Sequence, residues 1–171
     1  MLFVRGSIHG VRCEGEVAAI EDGVAWAVSY SLLLDSEWRT RSANVTCLTQ
    51  AGRAAFLLER DGDGRWRVDG EPAPQFDGCA DVDLEASVFT NALPVRRLRL
   101  SVGKSADAPA VYVRVPDLRV ERLEQHYQRL PDDGPNTRYD YRAPAHRFSA
   151  VLAYDQAGLV VEYPGLAARV S

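Results

Sequence analysis

The sequence predicts a mainly β domain with a little α, on three observations. Turn chemistry recurs roughly every 8–12 residues, the spacing of a sandwich, roll or barrel. Between turns, apolar and polar residues alternate, as in Val24–Leu34, where Val24, Trp26, Val28, Tyr30 and Leu32 share one face. One stretch near the middle, Asp77–Leu98, begins as a strand and then changes character. At 171 residues and 46% hydrophobic content, the chain suits a single domain over residues 1–171 with a substantial core.

Taken in order, a short irregular leader precedes a strand that ends at the turn Glu21-Asp22-Gly23, and Val24–Leu34 follows. Glu37–Leu48 reads as a second strand, polar for its length, with Trp38, Thr40, Ser42, Asn44 and Thr46 on one face and Arg39 and Arg41 on the other. Such a strand presents a solvated face or lines something wet. Arg53–Glu59 and Arg65–Asp69 form a hairpin around Asp61-Gly62-Asp63-Gly64. A calcium loop is excluded there, because Arg65 and Pro72 stand where oxygen ligands are needed.

A Pro-containing loop, Glu71–Gly78, delivers the central stretch. Val82 and Leu84 point one way and Asp81, Asp83 and Glu85 the other, the pattern of a half-buried strand. Thr90-Asn91 offers capping oxygens, Pro94 suits a first helical turn, and Arg96, Arg97 and Arg99 suit a last one. Gly103–Pro109 is a loop, and Ala110–Val115 and Leu118–Leu123 are strands broken by Pro116-Asp117. Glu124–Leu130 extends a strand or forms a helical turn, and Pro131–Thr137 is a polar loop. Arg138–Arg142, Arg147–Tyr154 and Leu159–Tyr163 are the last strands, ended by Pro164-Gly165.

Composition excludes several classes. A net charge of −4 with 26% charged residues leaves no basic face for nucleic acid. Cys13, Cys47 and Cys79 are odd in number and far apart, and only His9, His126 and His146 could join them. No metal site or disulfide framework is expected, only reduced thiols in a cytoplasmic protein. The apolar run before Arg5 is far too short for a secretory segment or a membrane span, so no membrane insertion is expected. No phosphate loop, dinucleotide glycine pattern, nucleophile elbow or zinc-protease helix occurs, so neither a cofactor nor a catalytic residue is indicated.

The remaining chemistry is polar. On a strand, Asp81 and Asp83 stand about 7 Å apart on one face. They could do acid/base work, accept hydrogen bonds from Arg39, Arg41, Arg96 and Arg97, or recognise a ligand head group. His126 beside Tyr127 reads as packing, and neither His9 nor His146 suggests a site. The aromatic residues, Tyr112, Tyr141, Phe148, Tyr154 and Tyr163 among them, are spread along the strands. They fill the core unless the interior is left open to an apolar ligand.

Several segments together resemble a bacterial family labelled putative glycolipid-binding proteins. They are WRTR at Trp38–Arg41, WRVDG at Trp66–Gly70, GCADVDL at Gly78–Leu84 and TNALPVRRL at Thr90–Leu98. VPDLRV at Val115–Val120, QHY at Gln125–Tyr127, YDY at Tyr139–Tyr141 and GLVVEYPGL at Gly158–Leu166 follow in the same order. The resemblance runs from about Tyr30 to the C-terminus. It implies a spiral β-roll, a half-barrel of antiparallel strands wrapped around one central helix at about Ser87–Arg97, similar in shape to bacterial lipoprotein carriers.

The function expected from residues and resemblance together is a non-enzymatic binding protein holding a lipid or glycolipid in the roll. Trp38, Arg39, Arg41, Asp81, Asp83, Asn91, Arg96, Arg97, Tyr127 and Tyr163 are its candidate ligand-binding residues. The alternatives are an enzyme acting on a small polar substrate at the Asp/Arg cluster, and a structural or partner-binding module using open strand edges. Those carriers also have an export signal that this N-terminus does not resemble.

Overall fold

Period-two alternation dominates the chain, and the computed structural model is accordingly mostly strand. It describes residues 1–7, 10–164 and the backbone of 167–168; His9, Gly165 and Leu166 lie outside the described residues. Seven strands form one antiparallel sheet in chain order: β1 (Leu2–Ser7), β2 (Gly10–Glu21), β3 (Val24–Leu34), β4 (Thr40–Thr49), β5 (Gly52–Arg60), β6 (Trp66–Val68) and β7 (Glu71–Pro72). β8 (Asp81–Leu84) starts a second sheet, and a 3-10 turn (Val88–Asn91) then leads directly into the helix α1 (Ala92–Leu98).

β9 (Ser105–Asp107), β10 (Ala110–Val113), β11 (Val120–Leu123), β12 (His126–Asp133), β13 (Asn136–Ala143), β14 (Phe148–Tyr154), β15 (Val160–Tyr163) and β16 (Ala167–Ala168) follow. β11, β10 and β8 make a three-stranded sheet, and β16 to β12 with β9 make a six-stranded one. Every described pairing is antiparallel except β8 with β10. That exception departs from the all-antiparallel roll. It also explains the helix: a parallel pair needs a long crossover, and α1 lies within the crossover from β8 to β10.

Several local readings are corrected. The leader is not irregular, because β1 pairs with β2 from Leu2↔Gly15 to Ser7↔Gly10. Its inward positions escaped notice because they are small. Gly15 lies under the Tyr30 ring, where a Cβ would come within 2.3 Å of ring atoms. The second strand begins at Thr40, not Glu37. Asp35 accepts hydrogen bonds from the amides of Glu37 and Arg39 in a turn that holds Trp38 at φ +66°. A register shift opposite Leu33 and Leu34 then turns Thr40 inward with Ala43, Val45 and Cys47.

β8 is the third correction, since all four of its residues are buried, not half of them. One edge pairs with β10; on the other, Thr40 donates its amide to Ala80 O and accepts from the Val82 amide through Oγ1 (3.1 Å). The expected polar loop at Pro131–Thr137 is instead the end of β12, the hairpin turn and the start of β13. Glu124–Leu130 is strand from His126 onward, not a helical turn.

The helical segment is anchored to all three sheets. Tyr30 of β3 bonds Ser87 (2.9 Å), Arg97 pairs with Asp81 of β8, and Asn91 donates to Tyr127 of β12 (3.1 Å). Tyr154 of β14 donates its hydroxyl to Asn91 O at 3.2 Å. Ala92 and Leu93 are fully buried, and burying a leucine side chain contributes about 1.5–3 kcal/mol. Asn91 precedes the helix but does not cap it, because its side chain is committed to Tyr127. Arg96 and Arg97 occupy the last turn; Arg99 is the left-handed C-cap residue at φ +46°.

Arg97 Nη2 reaches Asp81 Oδ2 at 2.5 Å, and Asp81 is 1% exposed. Removing one partner of a buried pair strands the other charge at a cost of about 3–5 kcal/mol. Arg97→Met is therefore expected to lower unfolding stability by about that amount. The double change Asp81→Leu/Arg97→Met is expected to recover most of the loss, as read by urea denaturation.

Candidate functional site

Several hollows mark the surface, and the deciding feature is enclosure. Those of about 370, 510 and 540 Å³ are open grooves on the seven-stranded sheet, lined mostly by half-buried or exposed strand residues. Two others flank the 3-10 turn and share Ser87 and Val88 in their walls. The more enclosed, about 270 Å³, opens between β8, β10 and β13–β15. Its neighbour, about 290 Å³, is apolar, walled by Leu2, Val17, Val88, Phe89, Val160 and Val161.

Asp83 contributes to the first pocket from the buried strand β8. Thr90 donates its hydroxyl to Oδ1 at 2.7 Å, and Gln125 donates its amide to Oδ2. Among the described residues no cation pairs with it, and the nearby arginine Arg97 is taken by Asp81. Burial raises the Asp83 carboxyl above the ordinary carboxylate range, and repulsion from Asp81 adds to this, while the Thr90 and Gln125 hydrogen bonds and the charge of His146 pull it back.

Aromatic rings form much of the remaining wall. Tyr141, Phe148 and Tyr163 stand in mutual contact, with centroids 5.7–6.2 Å apart, and come from the adjacent strands β13, β14 and β15. Tyr112 of β10 meets the His146 ring edge-on at 5.2 Å. Burial pushes the Tyr112, Tyr141 and Tyr163 hydroxyls well above their usual range, so they stay protonated as neutral donors. Glu85, at the edge, accepts the Val115 amide at 2.8 Å.

The ten candidate residues do not gather at one place. Asp83, Asn91 and Tyr163 line the enclosed pocket. Tyr127 is buried in the core, hydrogen-bonded to Asn91. Asp81 and Arg97 form the buried ion pair, and Arg96 lies over the Trp38 ring at 4.1 Å while donating to Ala157 O. Arg39 pairs with Asp35 and Glu37 at the surface, and Arg41 lies in an outer groove with Arg60, Arg65 and Arg67. The expected Asp/Arg cluster is thus split between a structural pair and surface charges.

Sequence reasoning missed Ser87, Val88, Tyr112, Tyr141, His146 and Phe148 as pocket residues. One signal existed for two of them: Ala143 pairs with Phe148 across a short turn, which brings Phe148 beside Tyr141, two residues away on the same face. No group of three or more His, Cys, Asp or Glu residues among those described is placed to hold a metal. The three cysteines are buried and free, and burial pushes the Cys13 and Cys79 thiols up to about 11. No described helix is long and apolar enough to cross a membrane.

Fold and site define a β-rich protein with three open sheets around one short helix, and with paired polar and apolar pockets beside it. The chain belongs to the family described as "Putative glycolipid-binding", whose sequence model matches residues 1–169. It is similar to a DUF1089 family protein from Pseudomonas aeruginosa of known crystal structure, with 34% identity and a TM-score of 0.82 over 99% of this chain and 91% of that one. No curated protein matches the chain.

A carboxyl raised by burial binds its proton more tightly in the folded state than in the unfolded one. Its contribution to stability is present at low pH and is lost as pH rises through the unfolded value of about 3.9 toward the raised one. Asp83→Asn is therefore expected to be more stable than the parent at pH 7, with the gap narrowing as pH falls from the raised value toward about 4 and constant below it. Denaturant unfolding at a series of pH values reads this, and a less stable variant at pH 7 would contradict it.

Proposed function

We propose that this protein is a non-enzymatic carrier or sensor of an amphiphile, a lipid or glycolipid. The ligand lies across Ser87 and Val88 with its polar end among Asp83, Asn91 and the tyrosines and its chain in the apolar pocket. One observation carries this reading: a polar aromatic pocket and an apolar pocket meet at the same two residues. Neither alone suits an amphiphile. Together they offer ring faces and hydrogen-bonding groups to the head and aliphatic walls to the chain, where each buried methylene contributes about 0.8 kcal/mol.

The chain enters beside the 3-10 turn, not beneath α1, whose residues Ala92–Val95 are buried and line neither pocket. The family description points the same way. Solvent extraction of protein purified from its own host, followed by mass spectrometry, tests the reading directly. A stoichiometric lipid is the expected result, and its repeated absence across preparations counts against it.

Val88 is half-buried and borders both pockets, so a larger side chain there obstructs the junction while leaving the core intact. Val88→Trp is expected to weaken displacement of a fluorescent fatty-acyl probe at least about tenfold, about 1.4 kcal/mol, with little change in unfolding midpoint.

A further inference from the structure

The enclosed pocket is charged on one side only. Asp83 and Glu85 bring two carboxylates to its lining, and no lysine or arginine is among the residues that form it. His146 also lines it and is the one lining side chain whose positive charge would favour the Asp83 carboxylate; its Nε2 lies 3.8 Å from a Glu121 carboxylate oxygen. Arg114 approaches Glu85 only at 3.9 Å, from outside the lining.

We propose that this pocket receives a protonated amine or quaternary ammonium group, with Asp83 as its counter-ion and Tyr141, Phe148 and Tyr163 as its ring faces. The proposal rests on the amphiphile reading for the chain, but stands on its own for the head group. Asp81 and Asp83 share one buried strand, yet only Asp81 has an arginine. A buried carboxylate without a cation is costly, and two hydrogen-bond donors do not remove its charge. An ammonium group does.

The rings supply the second argument. Three aromatic side chains in mutual contact line the same pocket as the carboxylate, and aromatic rings attract a cation but gain nothing from an anion. Gln125 reinforces the arrangement. It gives one amide hydrogen to Asp83 and the other to the Tyr141 hydroxyl (3.1 Å), and that hydroxyl is in turn hydrogen-bonded to Tyr163, so carboxylate, amide and two ring hydroxyls are held as one chain. A phosphate or sulfate head would meet two carboxylates and no cation. A neutral sugar could take the hydrogen bonds but would leave the charge unanswered. The shared chemistry of the ligands that fit is a cationic nitrogen, on an amino sugar or on an amino alcohol.

Chain-free probes separate this from the lipid question. Choline is compared with 3,3-dimethylbutanol, its neutral isostere, and glucosamine with glucose, by NMR shift titration, which reads millimolar affinities. At least one cation is expected to bind about tenfold or more tightly than its neutral partner, equivalent to about 1.4 kcal/mol. Which pair shows the larger ratio tells an amino alcohol from an amino sugar.

Asp83→Asn should erase that ratio. Phe148→Leu, at a half-buried position, should weaken the cation severalfold. Equal binding of cation and isostere, a ratio that survives Asp83→Asn, or no binding of any probe overturns the assignment. Asp83-dependent choline or glucosamine binding with no co-purifying lipid supports the head-group site and sinks the chain-binding reading instead.

Discussion

β8 is covered on both faces and yet carries two carboxylates, and the surrounding structure is arranged to answer them. Asp81 takes Arg97 from the last turn of α1, and Asp83 takes Thr90 from the turn before it. The segment therefore runs back antiparallel to β8, with an anchor at each end. Seven residues of helix advance about 10 Å while two residues of strand advance about 7 Å, so one arginine can reach one carboxylate and not both. Two identical side chains on one strand thus acquire different fates from where the helix begins and ends.

The same strand ties the sheets together. Its free edge is satisfied by Thr40, which is fully buried only because a register shift at the start of β4 turns it inward. The turn that precedes it holds Trp38, on whose ring Arg96 rests while donating to Ala157 O in the turn between β14 and β15. A bulge in the first sheet, a buried strand in the second and a turn in the third are joined through side chains of one short helix. A helix of this length has little stability of its own, and these tertiary anchors hold it.

Much of this was legible in the residues. The alternation over Val24–Leu34 gave β3 at its observed bounds, and Pro94 followed by two arginines located α1 and its polarity. The failures share a cause. Gly15 and Cys13 hid the first half of β2 because an inward-facing strand position need not be large when Tyr30 fills the space from the next strand. DVDL read as half-buried because alternation reports side-chain polarity, and buried partners invert its meaning when an arginine and a threonine wait 16 and 7 residues away.

The pocket was illegible for a different reason. Six of its thirteen lining residues fall at positions 83–91, but the aromatic wall that completes it comes from β10 and β13–β15, far along the chain. Sequence reasoning instead gathered charges that were close in the chain, and folding dispersed them. A charge that finds a partner during folding, such as Asp81, disappears into the architecture, whereas Asp83 is held by two neutral donors with no arginine or lysine partner among the described residues. Strands that need only to pack would be better served by an amide or an apolar residue at position 83, since burial there penalises the ionised form. A carboxylate kept in that place, fixed by two donors and faced by three rings, is a local cost that binding a positive charge would offset.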